Sequence, residues 1–307
     1  LPLVPFFGYS LMLLAAFCAA FSVVATFVAY RVAEPLRSPW LDMAYRATLC
    51  TWAVFTVSCG TLMYLFLSDN FSVAYVTEHS SISQGIQFKI SAFWGGQGGS
   101  LMLWAWILTC YASLVAVRGK KGNVYLAPTA VAVVNIISVF FITLVAFTAS
   151  PFALIEGAIP KDGQGLNPLL QNYWMQIHPP TLYTGYVGCS IPFAYAIAAL
   201  LHRRYDASWL AVVRRWTLFP WVILTIGIIM GGRWAYETLG WGGYWAWDPV
   251  ENASLLPWLT GTAFLHSLMI QTRRGMLKNW NMVLDGLETQ LKRYLGGSSS
   301  PSLHTLR

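Results

Sequence analysis

Long apolar stretches recur along the chain and are separated by short polar loops. Seven of them approach the roughly 20 residues that a helix needs to cross a bilayer. We place them at about 6–30, 47–68, 98–117, 124–148, 179–201, 213–232 and 254–272. The first stretch is too long for a cleaved signal peptide and has no basic flank before it. The pattern therefore predicts an all-α fold, a polytopic bundle of about seven transmembrane helices.

The composition supports the membrane class. Apolar residues make up 56% of the chain and charged residues only 10%, whereas a soluble domain usually carries about 25% charged residues. We therefore expect four parts: transmembrane helices and their loops over 1–232, a Trp-rich external segment at 233–253, the last span with its inner flank at 254–284, and a polar, disordered tail at 285–307.

Basic residues are distributed unequally between the loops. Thirteen lie in alternate loops or just after the last span, and only Lys89, Lys161 and Arg233 lie in the other set. By the positive-inside rule, the basic loops face the cytoplasm or matrix. The N-terminus and the loops at 69–97, 149–178 and 233–253 are then predicted to face outside. The net charge of +7 reflects this topology, so we expect no nucleic-acid partner.

The last external loop is unusually rich in tryptophan. Trp234, Trp241, Trp245 and Trp247 fall within fourteen residues, whereas anchoring at a membrane interface ordinarily needs one or two per helix end. Aromatic faces bind flat apolar ligands without hydrogen-bond demands. We expect Trp241, Trp245 and Trp247 to share one concave surface beside His178.

The polar residues of this segment fit structural roles, and two of them, Asp248 and Arg233, also fit contact with a ligand. Glu251 and Asn252 lead into the last span and fit helix capping, with Asn252 as the N-cap. Asp248, between Trp247 and Pro249, fits orientation of either the loop or a ligand. Arg233 fits either an ion pair with one of these carboxylates or a contact with haem propionates.

Two histidines are candidate haem ligands. His178, in QIHPPTLYTG, stands at the predicted outer start of the fifth span, where Pro179 and Pro180 suit a first helical turn. It fits an axial ligand of haem iron or an interfacial histidine. His266 follows Ser254 by twelve residues, which places it about 18 Å into the membrane. An imidazole there is a functional hypothesis, and its alternative is a bond to a neighbouring helix.

The remaining histidines and the cysteines give weaker signals. His79 is expected to be a loop residue and His202 an interfacial one, and the sequence assigns no role to His304 in the tail. All five cysteines fall within predicted spans and none forms a CxxC pair. We expect them to pack as small apolar residues, which argues against a c-type cytochrome or a thiol carrier.

The Trp-rich segment and several other motifs resemble a known family. WGGYWAWDPVEN resembles the signature of the WWD-domain cytochrome c haem lyase family, which includes CcmF, CcmC and CcsA. FSVAYVTEHS, ISAFWGGQGGSLMLW, QIHPPTLYTGYVG and FLHSL resemble CcmF-type members in the same order. The resemblance runs from about residue 5 to residue 284.

The resemblance implies a haem-handling function at the outer side of an energy-transducing membrane, the bacterial inner membrane or the mitochondrial one. Such proteins take haem b from the chaperone CcmE and, with a CcmH-type subunit, join it to the CxxCH thiols of apocytochrome c. It implies that His178 is an external haem ligand and that His266 ligates an intramembrane haem b. The residues matched to the haem-binding surface are Trp241, Trp245, Trp247 and Asp248. We add the neighbouring Arg233 and Trp234 as candidate cofactor-binding residues. No catalytic residue is assigned.

The chain departs from the family pattern at its end. Family members run longer, with a second external histidine and a second transmembrane histidine downstream, so each haem is expected to take one further ligand from outside this chain. Two other functions stay open. One is a membrane redox protein that passes electrons from quinol to haem b without joining haem to a protein. The other is a transport or scaffold module whose tryptophans bind a lipid or another aromatic ligand.

Overall fold

The computed structural model describes residues 3–119, 125–203, 207–238, 240 and 242–274. Within these residues the chain forms ten α-helices and one short 3₁₀ turn at Pro168–Leu170, with no β-strand. The predicted all-α fold is therefore confirmed. The helices are α1 (Leu3–Ala29), α2 (Arg37–Leu67), α3 (Ala74–His79), α4 (Ile86–Ala92), α5 (Gln97–Gly119), α6 (Ala127–Thr148), α7 (Tyr173–Gly188), α8 (Ser190–His202), α9 (Ala207–Thr238) and α10 (Pro249–Arg274).

Seven helical segments in the described ranges are long and apolar enough to cross a membrane, as the sequence predicts. The fifth predicted span is in fact two helices, α7 and α8, which meet at Cys189. The second span begins at Arg37 rather than near residue 47. Polar residues can continue this helix because Arg46 pairs with Asp42 one turn away, at 2.6 Å.

The chain divides into two compact units, the first ending at Pro180 and the second beginning at Thr181. In the first unit α1, α2, α5 and α6 pack against one another. Small residues such as Ala15, Ala19 and Ala25 form the fully buried face of α1, which lets neighbouring backbones approach closely. Phe17 and Phe27, by contrast, are more than half exposed on the same helix. This inverted pattern is typical of a helix that faces lipid.

A polar cluster joins three helices of the first unit. Asn135 of α6 donates through Nδ2 to the hydroxyls of Ser22 in α1, at 3.2 Å, and Thr48 in α2, at 2.9 Å. Both hydroxyls in turn donate to the carbonyl oxygen of Ala44. All three polar side chains are fully buried. Such bonds contribute on average about 0.6 kcal/mol each in a membrane interior, and here they fix which faces of α1, α2 and α6 meet.

The two long loops of the first unit, 69–97 and 149–178, fold onto each other. Val73 and Leu154 form an antiparallel bridge, beside which the N–H of Ala74 donates to the carbonyl of Ala153 at 2.9 Å. Further along, the N–H of Gln164 donates to the carbonyl of Thr77 at 2.7 Å. These segments, with α3 and α4, form a structured cap at the end of the bundle that the charge pattern predicts to be external.

A nearly buried ion pair ties the cap to the bundle. Lys89 of α4 donates through Nζ to both carboxylate oxygens of Asp69, at 2.6 and 2.7 Å. The two side chains are 10% and 27% exposed, so little solvent is available to either charge if its partner is removed. Asp69 directly follows the C-cap of α2, and the pair therefore fastens α4 to the end of that helix.

We expect Lys89→Met to lower the free energy of unfolding by about 2 kcal/mol, because it leaves the partly buried Asp69 carboxylate without its charged donor. Thermal unfolding in detergent measures the effect. The double variant Asp69→Asn/Lys89→Met should recover most of the loss. Arg46→Met, which breaks the exposed pair with Asp42, is the matched control and should cost less than about 1 kcal/mol. Equal losses for Lys89→Met and Arg46→Met would contradict the buried-pair interpretation.

In the second unit, α9 packs against α8, α10 and the end of α7. Gly185 has no room for a side chain against the backbone of Leu224, so α7 and α9 cross at close range. Two reciprocal bonds join α9 to α10. The indole of Trp221 donates to Thr262 at 2.8 Å, and the indole of Trp258 donates to Thr225 at 2.7 Å.

The two indole rings of this pair also stack on each other. Their centroids lie 5.8 Å apart with an interplanar angle of 18°, which is within the range of favourable offset stacking. Each tryptophan is thus held by its ring face and by its N–H, and together they set the register between α9 and α10.

Candidate functional site

The Trp-rich segment begins inside a helix. The sequence predicts Arg233 and Trp234 to lie in a loop, but α9 continues to Thr238 and contains both. The helix continues because Arg233 pairs with Glu237 one turn later, at 2.7 Å, and because the Thr238 hydroxyl donates to the carbonyl of Trp234 at 2.6 Å. The sequence leaves open an ion pair of Arg233 with Asp248 or Glu251. The structure pairs it with Glu237 instead.

The aromatic residues of the segment make two close ring pairs. Tyr236 and Tyr244 stack in parallel, with centroids 4.5 Å apart and planes 6° apart. Trp245 and Trp247 meet edge to face at 6.1 Å. Trp247 remains 70% exposed. Trp241 lies outside the described residues.

Trp247 adopts an unfavourable backbone conformation. Its φ is +59°, in the left-handed region, where a bulky residue costs on the order of 1–3 kcal/mol. The neighbouring bonds hold it there: the Asn252 amide donates to the Trp247 carbonyl at 3.2 Å. An exposed aromatic ring on a strained backbone contributes little to the stability of the fold. Trp247 is therefore a candidate binding residue.

Asp248 is the N-cap of α10. Its Oδ1 accepts the N–H of Glu251 at 2.7 Å, and Glu251 in turn accepts the N–H of Ala246 through Oε2 at 2.7 Å. The prediction of Asn252 as the N-cap is wrong, because the helix already begins at Pro249, whose fixed φ suits the first helical position. The capping role predicted for Glu251 takes the form of a bond back to the loop. Asp248 therefore orients the segment that contains Trp245 and Trp247.

His178 lies inside a helix rather than at its start. The helix α7 begins at Tyr173, after Asn172, whose Oδ1 accepts the N–H of Trp174 at 2.7 Å. This side-chain cap starts the helix more than a turn before Pro179, so the prolines do not occupy its first turn. The His178 side chain is half-buried. Its predicted position beside the tryptophans stays a prediction, since His178 belongs to the first unit and the tryptophans to the second.

His266 projects from the surface of α10. Its Nδ1 lies 2.8 Å from the carbonyl oxygen of Thr262, which confirms that one ring nitrogen is hydrogen-bonded. Its place in the middle of a predicted span predicts an imidazole that faces the bundle interior, but among the described helices the side chain is exposed. At 1.5 Å per residue it lies about 26 Å from the start of α10 and about 12 Å from Arg274. It is thus nearer the predicted inner end of the helix than the outer end.

The other candidate groups take structural positions. The His79 Nδ1 lies 2.9 Å from the Tyr75 carbonyl oxygen, and its ring packs at 4.4 Å on the Tyr75 ring. His202 ends α8, and His304 with the rest of the tail lies outside the described residues. All five cysteines are free thiols. Among the described residues no three His, Cys, Asp or Glu side chains cluster as a metal site.

The contact of Trp94 with the helix that contains His178 is not predicted from the sequence. The Trp94 indole Nε1 lies 3.3 Å from the carbonyl oxygen of Met175, three residues before His178. The signal was present in the sequence, because a proline inside a helix always leaves the carbonyl four residues earlier without its backbone donor. The apolar pattern predicts a helix that begins near residue 179, which places Pro179 in the first turn. The helix in fact begins at Tyr173.

Fold and site together define a multi-pass helical membrane protein with an ordered, tryptophan-rich turn between its last two described spans. The model of the family described as cytochrome C assembly protein matches residues 94–287, which is more than half of the chain. The chain belongs to this family. Membership confirms the predicted connection to cytochrome c biogenesis.

Several related proteins are also described as cytochrome c-type biogenesis proteins. The cytochrome c-type biogenesis protein CcmF of Pseudomonas fluorescens is 43% identical over 92% of this chain and 42% of its own length. CcmF of Escherichia coli K12 is 40% identical over 79% of this chain and 38% of its own length. A solved cytochrome c haem lyase CcmF matches with a TM-score of 0.81 and 32% identity, over 98% of this chain and 47% of that structure. The chain spans about two fifths of the length of these CcmF relatives.

Proposed function

We propose that this chain forms the haem-handling part of a cytochrome c haem lyase. The observation that supports this most directly is Trp247, whose ring is 70% exposed on a strained backbone. It is held in that state by the Asp248 cap and the Asn252 amide. The sequence around it is the segment that resembles the WWD signature. A solved haem lyase shares the fold.

The described residues fit haem as the ligand. Trp247 and Tyr244 are more than half exposed, and aromatic rings suit a flat, apolar macrocycle. The indole N–H of Trp245 is enclosed and has no hydrogen-bond partner among the residues that the structure describes, so it is a donor that a haem propionate can satisfy. The Nε of Arg233 pairs with the carboxylate of Glu237. A second propionate contact would therefore use the terminal guanidinium nitrogens of Arg233. By the family resemblance alone, His178 would provide an axial nitrogen to the iron.

The proposed reaction is an addition. Each cysteine S–H of a CxxCH site adds across one haem vinyl group: a C–S bond forms, the vinyl π bond breaks, and the thiol hydrogen goes to the other vinyl carbon. Atoms and electrons balance without an added oxidant. The part of this chain is to hold the macrocycle and the iron in place while the thiols approach.

The proposed partners follow from the same resemblance. Haem b would arrive from a CcmE-type chaperone, and apocytochrome c would be presented by a CcmH-type subunit. The proposed location is the bacterial inner membrane, with the Trp-rich segment on its outer side.

Transfer of haem to a peptide tests the proposal. The purified protein is loaded with haemin, reduced, and mixed with an apocytochrome peptide containing CxxCH, and covalent haem is read by its peroxidase activity on a denaturing gel. A peptide with CxxCH changed to SxxSH is the control. A haem spectrum without covalent product would favour the second candidate, a quinol-to-haem b redox protein, which the intramembrane His266 also fits. The absence of any haem spectrum would remove both and leave a lipid or scaffold module.

The predicted topology can be measured separately. We expect a cysteine introduced by Gly243→Cys to react with a membrane-impermeant maleimide added from the outer side, because the basic loops lie on the opposite side. A cysteine introduced at Ser38, beside Arg37, should react only after the membrane is opened. The parent chain, whose cysteines all lie in membrane-spanning helices, gives the background. Labelling of the Gly243→Cys variant only in opened membranes would overturn the topology and the proposed outer site.

A further inference from the structure

Trp94 replaces a backbone hydrogen bond that Pro179 cannot make. In an uninterrupted helix the carbonyl oxygen of Met175 accepts the N–H of residue 179. Proline has no N–H, and its ring crowds the carbonyl four residues earlier. The indole Nε1 of Trp94, from the turn between α4 and α5, lies 3.3 Å from the Met175 oxygen. A side chain from a different part of the chain therefore completes α7 at its proline.

The main chain around Trp94 is held firmly. The hydroxyl of Ser100 donates to the Trp94 carbonyl at 2.9 Å, and the N–H of Trp94 donates to the Ser91 carbonyl at 3.1 Å. Gly99 leaves no space for a side chain against the carbonyl of Phe93, so the turn closes tightly on the start of α5. The indole is thus presented from a fixed support rather than from a loose loop.

This bond acts on the turn that contains His178. Met175 and His178 are three residues apart and lie on neighbouring positions of one helical turn. Where a side chain enters the helical hydrogen-bond ladder, it sets the local bend. We propose that Trp94 is a positioning residue for His178: its bond to Met175 fixes the main-chain geometry of the helix at Pro179 and with it the direction of the imidazole. The inference rests on the proposed role of His178 as a haem ligand.

The substitution Trp94→Phe tests the bond, because it keeps an aromatic ring and removes the N–H. The readout is haemin titration of the purified protein, followed by the low-spin haem absorption, with His266 unchanged in every variant. We expect haemin affinity to fall about tenfold, as for loss of other groups that orient an iron ligand, and the low-spin signal to shift. Trp106→Phe is the matched control. It removes an indole N–H that bonds α5 to α2 through Thr56 at 2.9 Å, and it should leave the haem spectrum unchanged.

A second substitution should restore what the first removes. In the double variant Trp94→Phe/Pro179→Ala, the new backbone N–H of residue 179 can bond to the Met175 carbonyl. We expect haemin affinity to return to within about threefold of the parent, since the orienting bond is re-formed within the helix. A structural effect of Trp94 elsewhere in the cap would not be rescued at position 179. Equal behaviour of Trp94→Phe and Trp106→Phe, or failure of the rescue, overturns the inference.

His178→Ala separates this inference from the proposed function. If His178→Ala weakens haemin binding and Trp94→Phe does not, the positioning role fails and the ligand role stands. If His178→Ala binds haemin as the parent does, the ligand role fails and the positioning role fails with it.

Discussion

Replacing His178 by alanine is expected to abolish covalent haem transfer to a CxxCH peptide and to weaken haemin binding by more than about 100-fold. Loss of a group that only orients a ligand costs about 10- to 100-fold, and here the proposed ligand itself is removed. The helix should persist, because Asn172 still caps it and Trp94 still bonds to Met175. Haemin titration and the peptide assay measure the two effects, and added imidazole should restore part of the binding.

His79→Gln is the matched control for this prediction. His79 lies in the cap of the same unit, where its Nδ1 bonds to the Tyr75 carbonyl, and glutamine can keep a polar contact there. We expect haem binding and transfer to remain near those of the parent. Full transfer activity in His178→Ala would remove His178 from the proposed site.

The membrane helices were predictable from sequence because the physical signal is strong. A run of about 20 apolar residues has few alternatives to a membrane helix. The boundaries were less predictable, because polar residues can extend a helix beyond the apolar run. The pair of Asp42 and Arg46 lengthens α2 in this way, and that of Arg233 and Glu237 lengthens α9.

The cap of the first unit could not be predicted from pattern. Its fold depends on contacts between two loops that are distant in sequence, such as the bridge between Val73 and Leu154 and the ion pair between Asp69 and Lys89. Neither loop shows a long periodic pattern. The short helices α3 and α4 are stabilised by these tertiary contacts rather than by their own length, since helices of six or seven residues are unstable alone.

At the site, sequence reasoning identified residue types better than their local roles. The density of tryptophan around Asp248 pointed to a binding segment, and that segment is ordered by the capping bonds of Asp248 and Glu251. The identity of the N-cap depends on where α10 begins. Because the helix begins at Pro249, the N-cap is Asp248 and not Asn252. The positive φ of Trp247 could not be predicted from the sequence, because the residue pattern at this position does not indicate a left-handed backbone conformation.

The Thr262 carbonyl orients the imidazole of His266, the proposed ligand of an intramembrane haem. With Nδ1 held as the donor to this oxygen at 2.8 Å, the neutral ring presents Nε2 with its lone pair outward, which is the tautomer that binds haem iron. The ring stands on the exposed face of α10 next to Leu259, Met269 and Ile270, which are all more than two fifths exposed. An apolar helix face with one oriented imidazole suits a haem in a membrane.

His266→Ala is therefore expected to remove the low-spin b-type absorption of the protein as purified, before any haemin is added, because one axial nitrogen of the intramembrane haem is lost and alanine offers no replacement. Reduced-minus-oxidised difference spectra measure it. Thr262→Val is the matched control: it removes the hydroxyl that accepts the Trp221 indole but keeps the main-chain carbonyl that orients His266. We expect this variant to keep the spectrum, with a small loss of thermal stability from the missing bond between α9 and α10. A full low-spin b-type spectrum in His266→Ala would show that His266 is only a hydrogen-bonded helix residue, and the intramembrane haem site would then be abandoned.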